Sequence, residues 1–439
     1  MNRKIVLSLF LMLLLVLVTP AALLASGKGE AAKKEGTLKF WHGYPEYDVV
    51  FKDMAAKDYM VANPGVKVEI SSFPLREYER KLAVALPAGT GPDIFFFDLS
   101  YTVKFIEAGL VDQPPQRVVD FVKKSFKPAF IQGVTYKDKI WAMAYTGAIK
   151  AAFYNTDMYK AAGLDRAPRN WDEVRDYAKK TTKYDAAGNV VRSGVSLRLS
   201  GGGSGIAEKF WMWMLPTGST LAEQGKEFGK YHAGYDNEGG RETLKLYIDL
   251  LYKLKADSFN IKHDSEALAL EQTAYFQRES WVIGYMKENA PDVKYDTAPL
   301  PVIKRKAGMK SNTNMNVSAS SKVKDLAWDF ALFTEEEKYL KAVIEKVGWL
   351  TARADINYDD IFAKEPRFRP FIEITDDYVG VDYPMITTAD EIYTKFADKL
   401  VPAFQRADLV DNPAGIAKII SDAAKGTNDI LKEAGEYGE

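Results

Sequence analysis

The chain has no cysteine among its 439 residues. That excludes disulfides, thiolate nucleophiles, Cys-ligated zinc and lipid attachment through an N-terminal cysteine. Histidine is nearly as scarce: His42, His232 and His263 are the only three. Three scattered imidazoles are a poor basis for a metal or catalytic site built on several histidines. A surplus of one charge is missing too. The 59 Lys and Arg against 60 Asp and Glu leave a formal net charge of −1, which gives no pull toward nucleic acid or an anionic membrane surface. Internal repeats and low-complexity domains are absent, and beyond the N-terminus no apolar run is long enough to span a bilayer.

What is present reads as a globular, exported α/β protein. A hydrophobic fraction of 47% with 27% charged residues fits a packed chain, and the length is too great for one ordinary core, so two domains are expected. Arg3 and Lys4 precede an apolar run over residues 5–18 broken only by Ser8, followed by Thr19-Pro20 and Leu24-Ala25-Ser26-Gly27. This is the order of a secretory signal. Residues 1–25 are therefore expected to be a signal peptide cleaved near Ala25 or Ser26, with an uncleaved anchor as the alternative. Residues 26–36, with Lys28, Lys33 and Lys34, read as a solvated linker. The expected location is the periplasm.

From Thr37 onward short strands alternate with amphipathic helices. Leu38 and Phe40 alternate with Thr37 and Lys39; Val66, Val68 and Ile70 repeat with period two after Asn63-Pro64-Gly65. Ile94-Phe95-Phe96-Phe97 is a continuous apolar run, the pattern of a strand covered on both faces. Helices are expected around 46–62 and 75–86, and the alternation implies a mostly parallel sheet flanked by helices. Further on, Asn170-Trp171-Asp172-Glu173 resembles a capping box opening a helix in which Val174 and Ala178 share a face. Leu244, Tyr247, Ile248 and Leu251 recur at helical spacing, as do Val323, Ala327 and Phe330, and then Tyr339, Leu340, Val343 and Val347. Gly348 is a natural stop for the last of these.

Several motifs that could carry chemistry do not complete. The run Gly201-Gly202-Gly203-Ser204-Gly205 lacks the Lys-Ser/Thr of a phosphate loop and leads into Phe210-Trp211-Met212-Trp213, so it reads as a cleft-lining loop. Asp185-Ala186-Ala187-Gly188-Asn189 lacks the spaced carboxylates of a calcium loop and fits a hairpin turn. No Gly-x-Ser-x-Gly elbow exists, and no carboxylate pair is marked out as a glycosidase acid and nucleophile. His42 follows the first strand at the end where open α/β sheets bind ligands; it is either a ligand contact or a satisfied loop histidine.

In order along the chain, five segments resemble the extracellular solute-binding proteins of ABC sugar importers, the group that contains maltose-binding protein. Leu38-Lys39-Phe40-Trp41-His42 is similar to that family's first strand and Asn63-Pro64-Gly65-Val66-Lys67-Val68-Glu69 to its second. Ala88-Gly89-Thr90-Gly91-Pro92-Asp93-Ile94, leading into Asp98 and Phe105-Ile106-Glu107-Ala108-Gly109-Leu110, resembles its most characteristic stretch. Tyr154-Asn155-Thr156-Asp157-Met158 with Ala162-Gly163-Leu164 and Asn170-Trp171-Asp172-Glu173 resembles the stretch after the first lobe crossing, and Val347-Gly348-Trp349-Leu350-Thr351-Ala352-Arg353 the late crossing. The resemblance covers about residues 37–425. Departures are Thr351-Ala352 where proline is usual, Ala144-Tyr145-Thr146-Gly147 in place of a Pro-rich stretch, and Gln277-Arg278-Glu279-Ser280-Trp281-Val282-Ile283 in place of a Gly-Lys-Ala-Ala-Met-like run.

The resemblance implies an α/β, two-lobed periplasmic binding protein fold of type II, each lobe holding a mostly parallel sheet. The chain would cross between lobes near 143–147, 311–320 and 349–355. The N-terminal lobe would hold 37–145 plus 318–351 and the C-terminal lobe 146–317 plus 352–439. It also implies a monomeric, non-enzymatic binder that closes on a carbohydrate and delivers it to membrane permease subunits, without cofactor, metal or nucleic acid. Alternatives are a secreted carbohydrate-active enzyme, a sensor, a ferric-ion binder, or a same-fold binder of a charged solute such as glycerol-phosphate; the last would need a cleft cluster of Arg or Lys, and none is apparent in the sequence. Trp and Tyr rings cover sugar C–H faces while Asp, Asn, Glu and Arg take the hydroxyls, often two at once. The candidates are Trp41, His42, Phe97, Asp98, Tyr101, Tyr145, Glu208, Trp211, Tyr285, Asn289, Asn312, Asn314 and Trp349, with Asp98, Trp211, Tyr285 and Trp349 foremost. The plain competing roles are core packing for the aromatics and a helix N-cap for Asp98.

Overall fold

The computed structural model describes residues 34–200, 204–372, 375 and 377–439. The expected signal peptide, residues 26–33 of the linker and the glycines 201–203 lie outside the described residues. Among the described residues no helix is long and apolar enough to cross a membrane.

The first lobe is built on a five-stranded sheet. Strand Glu35–His42 buries Leu38, Phe40 and His42 on one face and turns Thr37 and Lys39 outward, as its period-two pattern requires. It pairs in parallel with Gly65–Ser72 on one side and Ile94–Phe97 on the other. Every residue of Ile94–Phe97 is buried, because helices cover both faces. Two further strands, Asn314–Val317 and Met143–Ala144, extend the sheet antiparallel to their neighbours. Asn314–Val317 thus belongs to the first sheet, which moves the expected lobe boundary at 317/318 back past Asn314.

The second lobe departs from a mostly parallel sheet. Its central strand Ala151–Asn155, fully buried, is flanked by Tyr275–Arg278 and Tyr295–Ala298, both antiparallel to it. Just before it, Ala148–Ile149 pairs antiparallel with Ala307–Ser311, and only Val379–Val381 adds a parallel partner. Chain direction explains this. Ala148–Ile149 carries the chain away from the crossing and Ala307–Ser311 brings it back, so strands lying side by side must run oppositely. A core of helices Gly205–Met214, Glu238–Ile248, Ala389–Phe404 and Pro413–Glu433 packs behind this sheet. Helix Trp171–Thr181 starts where its cap residue predicts: the Asn170 side chain accepts a hydrogen bond from the Glu173 N–H at 2.9 Å. Asp185 organises the predicted hairpin turn by accepting from the Ala187 and Asn189 amides at 2.9 and 2.8 Å.

Three crossings join the lobes side by side. The Tyr145 and Thr146 amides donate to the Thr313 carbonyl at 3.1 and 3.2 Å, and the Gly147 amide donates to the Leu350 carbonyl at 3.0 Å. The segment 145–147 therefore lies between the other two. Gly147 has no room for a side chain: an added Cβ would lie 2.7 Å from the Ala352 Cβ. The third crossing begins where the helix Glu337–Ala342, continued by Val343–Val347, stops at Gly348. That residue adopts φ +85°, which glycine takes at little cost.

Candidate ligand-binding cleft

Strand ends and helix starts from both lobes converge on the gap beside the crossings. The first lobe contributes Tyr44 after its first strand, Leu75, Arg76 and Glu79 from helix Leu75–Ala85, Phe97 and Asp98 at the end of the third strand, and Tyr101. The second lobe contributes Arg198, Ser204, Glu208, Arg278, Glu279, Trp281 and Tyr383, while Asn312, Thr313 and Trp349 come from the crossings. These side chains enclose a cavity of about 180 Å³. Tyr44, Leu75, Arg278, Trp281 and Trp349 also border a second cavity of about 890 Å³, which runs outward past Glu46, Tyr285 and Glu288. The lobes touch across the gap. Arg76 Nη2 and the Tyr101 hydroxyl each reach the Ser204 hydroxyl, at 3.3 and 3.4 Å, and Lys310 Nζ donates to the Ala129 carbonyl at 2.7 Å.

Asp98 illustrates how the fold prepares the site. It sits at the Ncap position of helix Leu99–Glu107, yet its side chain makes no capping bond. Its Oδ1 is buried without a hydrogen-bond partner. Burial pushes the carboxyl up to about 7; Thr313 and Lys150 pull it back, and the charges of Glu208 and Glu279 push it further. A carboxylate in this setting is ready to accept hydrogen bonds from a ligand hydroxyl.

Behind the cleft face of the second lobe lies a buried ionic network. Lys150 pairs with Glu279 at 2.9 Å, Lys209 with Asp264 at 2.6 Å, and Arg278 Nε lies 3.3 Å from Glu279 and 3.7 Å from Asp264. Burial opposes ionisation of Asp264, but Lys209, Arg278 and Arg198 together hold its carboxyl below the usual range. Burial lowers Lys209 to about 8. Among the described residues no group of three His, Cys, Asp or Glu side chains could hold a metal ion.

Six of the sequence candidates meet at the inner cavity: Phe97, Asp98, Tyr101, Glu208, Asn312 and Trp349. Tyr285 borders the outer cavity. The others go elsewhere. Trp41 points out of the sheet, edge-on to Phe73 at 5.5 Å, and borders a shallow surface depression with Arg80 and Val84. His42 ends the first strand, buried in the first-lobe core away from the cleft: Nδ1 lies 3.0 Å from the Tyr44 carbonyl oxygen, Nε2 lies 2.9 Å from Asp48, and burial lowers it to about 4. Tyr145 packs into the first core against Phe51 and Phe96. Asn314 is buried within the first sheet, and Asn289 ends helix Trp281–Asn289 with its amide on the Tyr285 carbonyl.

Trp211 is placed in the core, not on the cleft wall. Helix Gly205–Met214 is buried on nearly every side, with Glu208 its one half-buried residue. The Trp211 indole donates to Thr220 at 3.0 Å, and its ring lies behind Tyr383 and Tyr393. The cleft aromatics that the candidate set lacks are Tyr44, Trp281 and Tyr383. A further correction concerns charge. Arg76, Arg198 and Arg278 all line the inner cavity, so the cleft does hold a basic cluster. The available signal was Arg278-Glu279, which stands within the segment that departs from the family pattern.

Two lobes, three adjacent crossings and one cleft closed by both lobes define a type II ligand-capturing protein. The sequence profile of the bacterial extracellular solute-binding protein family matches residues 44–340, and the chain belongs to that family. It is 23% identical over 348 residues to a maltotriose-binding protein of Pyrococcus abyssi, covering 77% of this chain and 71% of that one. With a galactooligosaccharide-binding protein of Bacillus subtilis it shares 23% identity over 382 residues, covering 84% and 85%. Among solved structures, an ABC transporter solute-binding protein of Thermotoga lettingae bound with alpha-D-tagatose superposes with a TM-score of 0.76 at 24% identity, over 91% of this chain and all of that one. UgpB of Mycobacterium tuberculosis in complex with glycerophosphocholine gives the same TM-score at 16% identity, over 91% and 99%.

Proposed function

We propose that this protein captures a carbohydrate between its lobes and delivers it to an ABC permease, acting outside the cytoplasm as a binder without turnover. The observation that carries the reading is the pairing of aromatic faces with hydrogen-bond acceptors around one gap: Tyr44, Phe97, Trp281, Trp349 and Tyr383 beside Asp98, Glu208 and Asn312. Rings cover the C–H faces of a pyranose while carboxylates and amides take its hydroxyls, and water competes poorly in so enclosed a space. Continuity of the inner cavity with the larger outer one, through Trp281 and Trp349, favours a ligand longer than one sugar ring. Ligand contacts supplied by both lobes at once exist only in the closed form, so binding would favour closure. The sugars named for the relatives support the same class.

A thermal-shift screen of mono- and oligosaccharides, followed by calorimetry, tests this. A saccharide should raise the melting temperature and bind with one-to-one stoichiometry, and should be recovered intact after incubation. Recovery of cleaved sugar would establish an enzyme instead. N-terminal sequencing of protein from the native envelope should begin near Ser26 or Gly27.

A further inference from the structure

Arg198 is held at a cost that its neighbours among the described residues repay only at a distance, through Asp264, Glu208 and Glu279. Its backbone is left-handed, φ +56°, in a residue that is not glycine. Its guanidinium lines the inner cavity and is mostly withdrawn from solvent, yet it makes no hydrogen bond among the described residues, and Nε is buried without a partner. The nearest carboxylate, Asp264, is 3.9 Å away and already engaged by Lys209 at 2.6 Å. The guanidinium lies against Gly205, where an added Cβ would come within 2.4 Å of Nη2.

Arg278 stands beside it. Its charge adds to burial in lowering the affinity of Arg198 for its proton, and its own guanidinium lies over the Trp281 ring at 5.6 Å. On this wall four cations, Lys150, Arg198, Lys209 and Arg278, face three anions: Asp264 and Glu279 in the ionic network, and Glu208, whose charge reaches Arg198 and Arg278 without a close pair. A buried cation short of partners is costly, and an oxyanion placed between the two guanidiniums would satisfy both.

The carboxylates on the same cavity limit which anion fits. Glu79 is occupied by Arg76 through Nη1, at 3.0 and 2.8 Å, whereas Glu208 and Asp98 line the cavity outside any close ion pair among the described residues, within reach of the charges of Arg198 and Arg278 for Glu208 and of Lys150 for Asp98. A dianionic phosphate would meet both of these. A planar monoanionic carboxylate, carried on a ring whose hydroxyls donate to Asp98 and Glu208, meets the whole set. We propose that the ligand is an acidic saccharide whose uronate carboxylate sits between Arg198 and Arg278.

This rests on the carbohydrate reading, and one experiment separates the two. Calorimetry would compare digalacturonate with galactobiose, and cellobiouronate with cellobiose, with glucose 6-phosphate as the phosphate arm. In one configuration the uronate should bind about 10- to 150-fold tighter than its neutral counterpart, the span of a charge-assisted contact. Arg198→Gly relieves the left-handed backbone while removing the guanidinium, so it should fold as stably as the parent and bring the ratio of uronate to neutral affinity close to one. Neutral disaccharides binding as tightly as uronates would overturn the proposal and leave the carbohydrate reading standing. An Arg198→Gly variant that keeps the preference would also overturn it. Glucose 6-phosphate binding more tightly than any uronate would replace the carboxylate by a phosphate. Binding by none of these saccharides would remove both readings.

Discussion

Two tryptophans separate cleft wall from core. Trp281 opens helix Trp281–Asn289, borders both cavities, and donates its indole N–H to Glu279 at 3.2 Å. Trp281→Ala removes one aromatic face from the site. A contact of that kind contributes about 1–3 kcal/mol, so the dissociation constant should rise about 5- to 150-fold. Because Trp281 is only partly buried, the loss of folding stability should stay below about 2 kcal/mol. Trp211→Ala should do the reverse. That side chain has no solvent exposure and packs against Tyr383 and Tyr393, so its removal should cost about 3–5 kcal/mol of stability. The molecules that remain folded should bind almost normally. Urea unfolding and calorimetric affinity, measured on both variants, give four numbers. A Trp281 variant with parental affinity, or a Trp211 variant that is stable but does not bind, would refute the placement of these residues.

Two further outcomes follow from the same geometry. Burial raises the Asp98 carboxyl to about 7 from an ordinary 3.8, so its share of the stability of the free protein is full below pH 3.8 and is lost as pH rises through 7. Asp98→Asn should therefore show a shallower loss of stability than the parent between pH 5 and 8; Asp257 and Glu335, also raised by burial, to about 7 and 8, contribute equally to both proteins and cancel in the comparison. Identical pH profiles would contradict the buried placement of Asp98. At the crossings, Gly147→Ala would force a Cβ to 2.7 Å from the Ala352 Cβ and 3.0 Å from the Phe130 ring. Overpacking of this kind costs about 1–3 kcal/mol, and a urea midpoint equal to the parent's would show that the crossings are not packed as described.

Much of the fold was legible in the chain because it rests on local rules. Period-two burial placed Leu38 and Phe40, the unbroken run Ile94–Phe97 marked a covered strand, and Asn170 and Gly348 marked a helix start and a helix stop. Strand direction was not legible. The apolar start Ala151-Ala152-Phe153 of the buried strand Ala151–Asn155 reports burial and says nothing of the sense of its neighbours. The site was legible in part for a related reason. Asp98, Glu208, Asn312 and Trp349 lie at element ends, where ligand contacts gather, and the structure brings them to one cavity. Trp211 follows the same glycine run as Glu208, but it sits on a helix face turned into the core. Arg76, Arg198 and Arg278 come from three distant segments, and only tertiary packing reveals that their guanidiniums share a cavity.

Small-angle scattering on the protein with and without the saccharide that most raises its melting temperature tests the central claim directly. At about 100 times its dissociation constant, such a ligand should stabilise the fold by roughly 2.7 kcal/mol. If that ligand lies between the lobes, held by Asp98 and Tyr101 on one side and Glu208 and Arg278 on the other, the radius of gyration should fall on saturation. Stabilisation with no change in the radius of gyration would contradict capture between closing lobes and place the site within a single lobe.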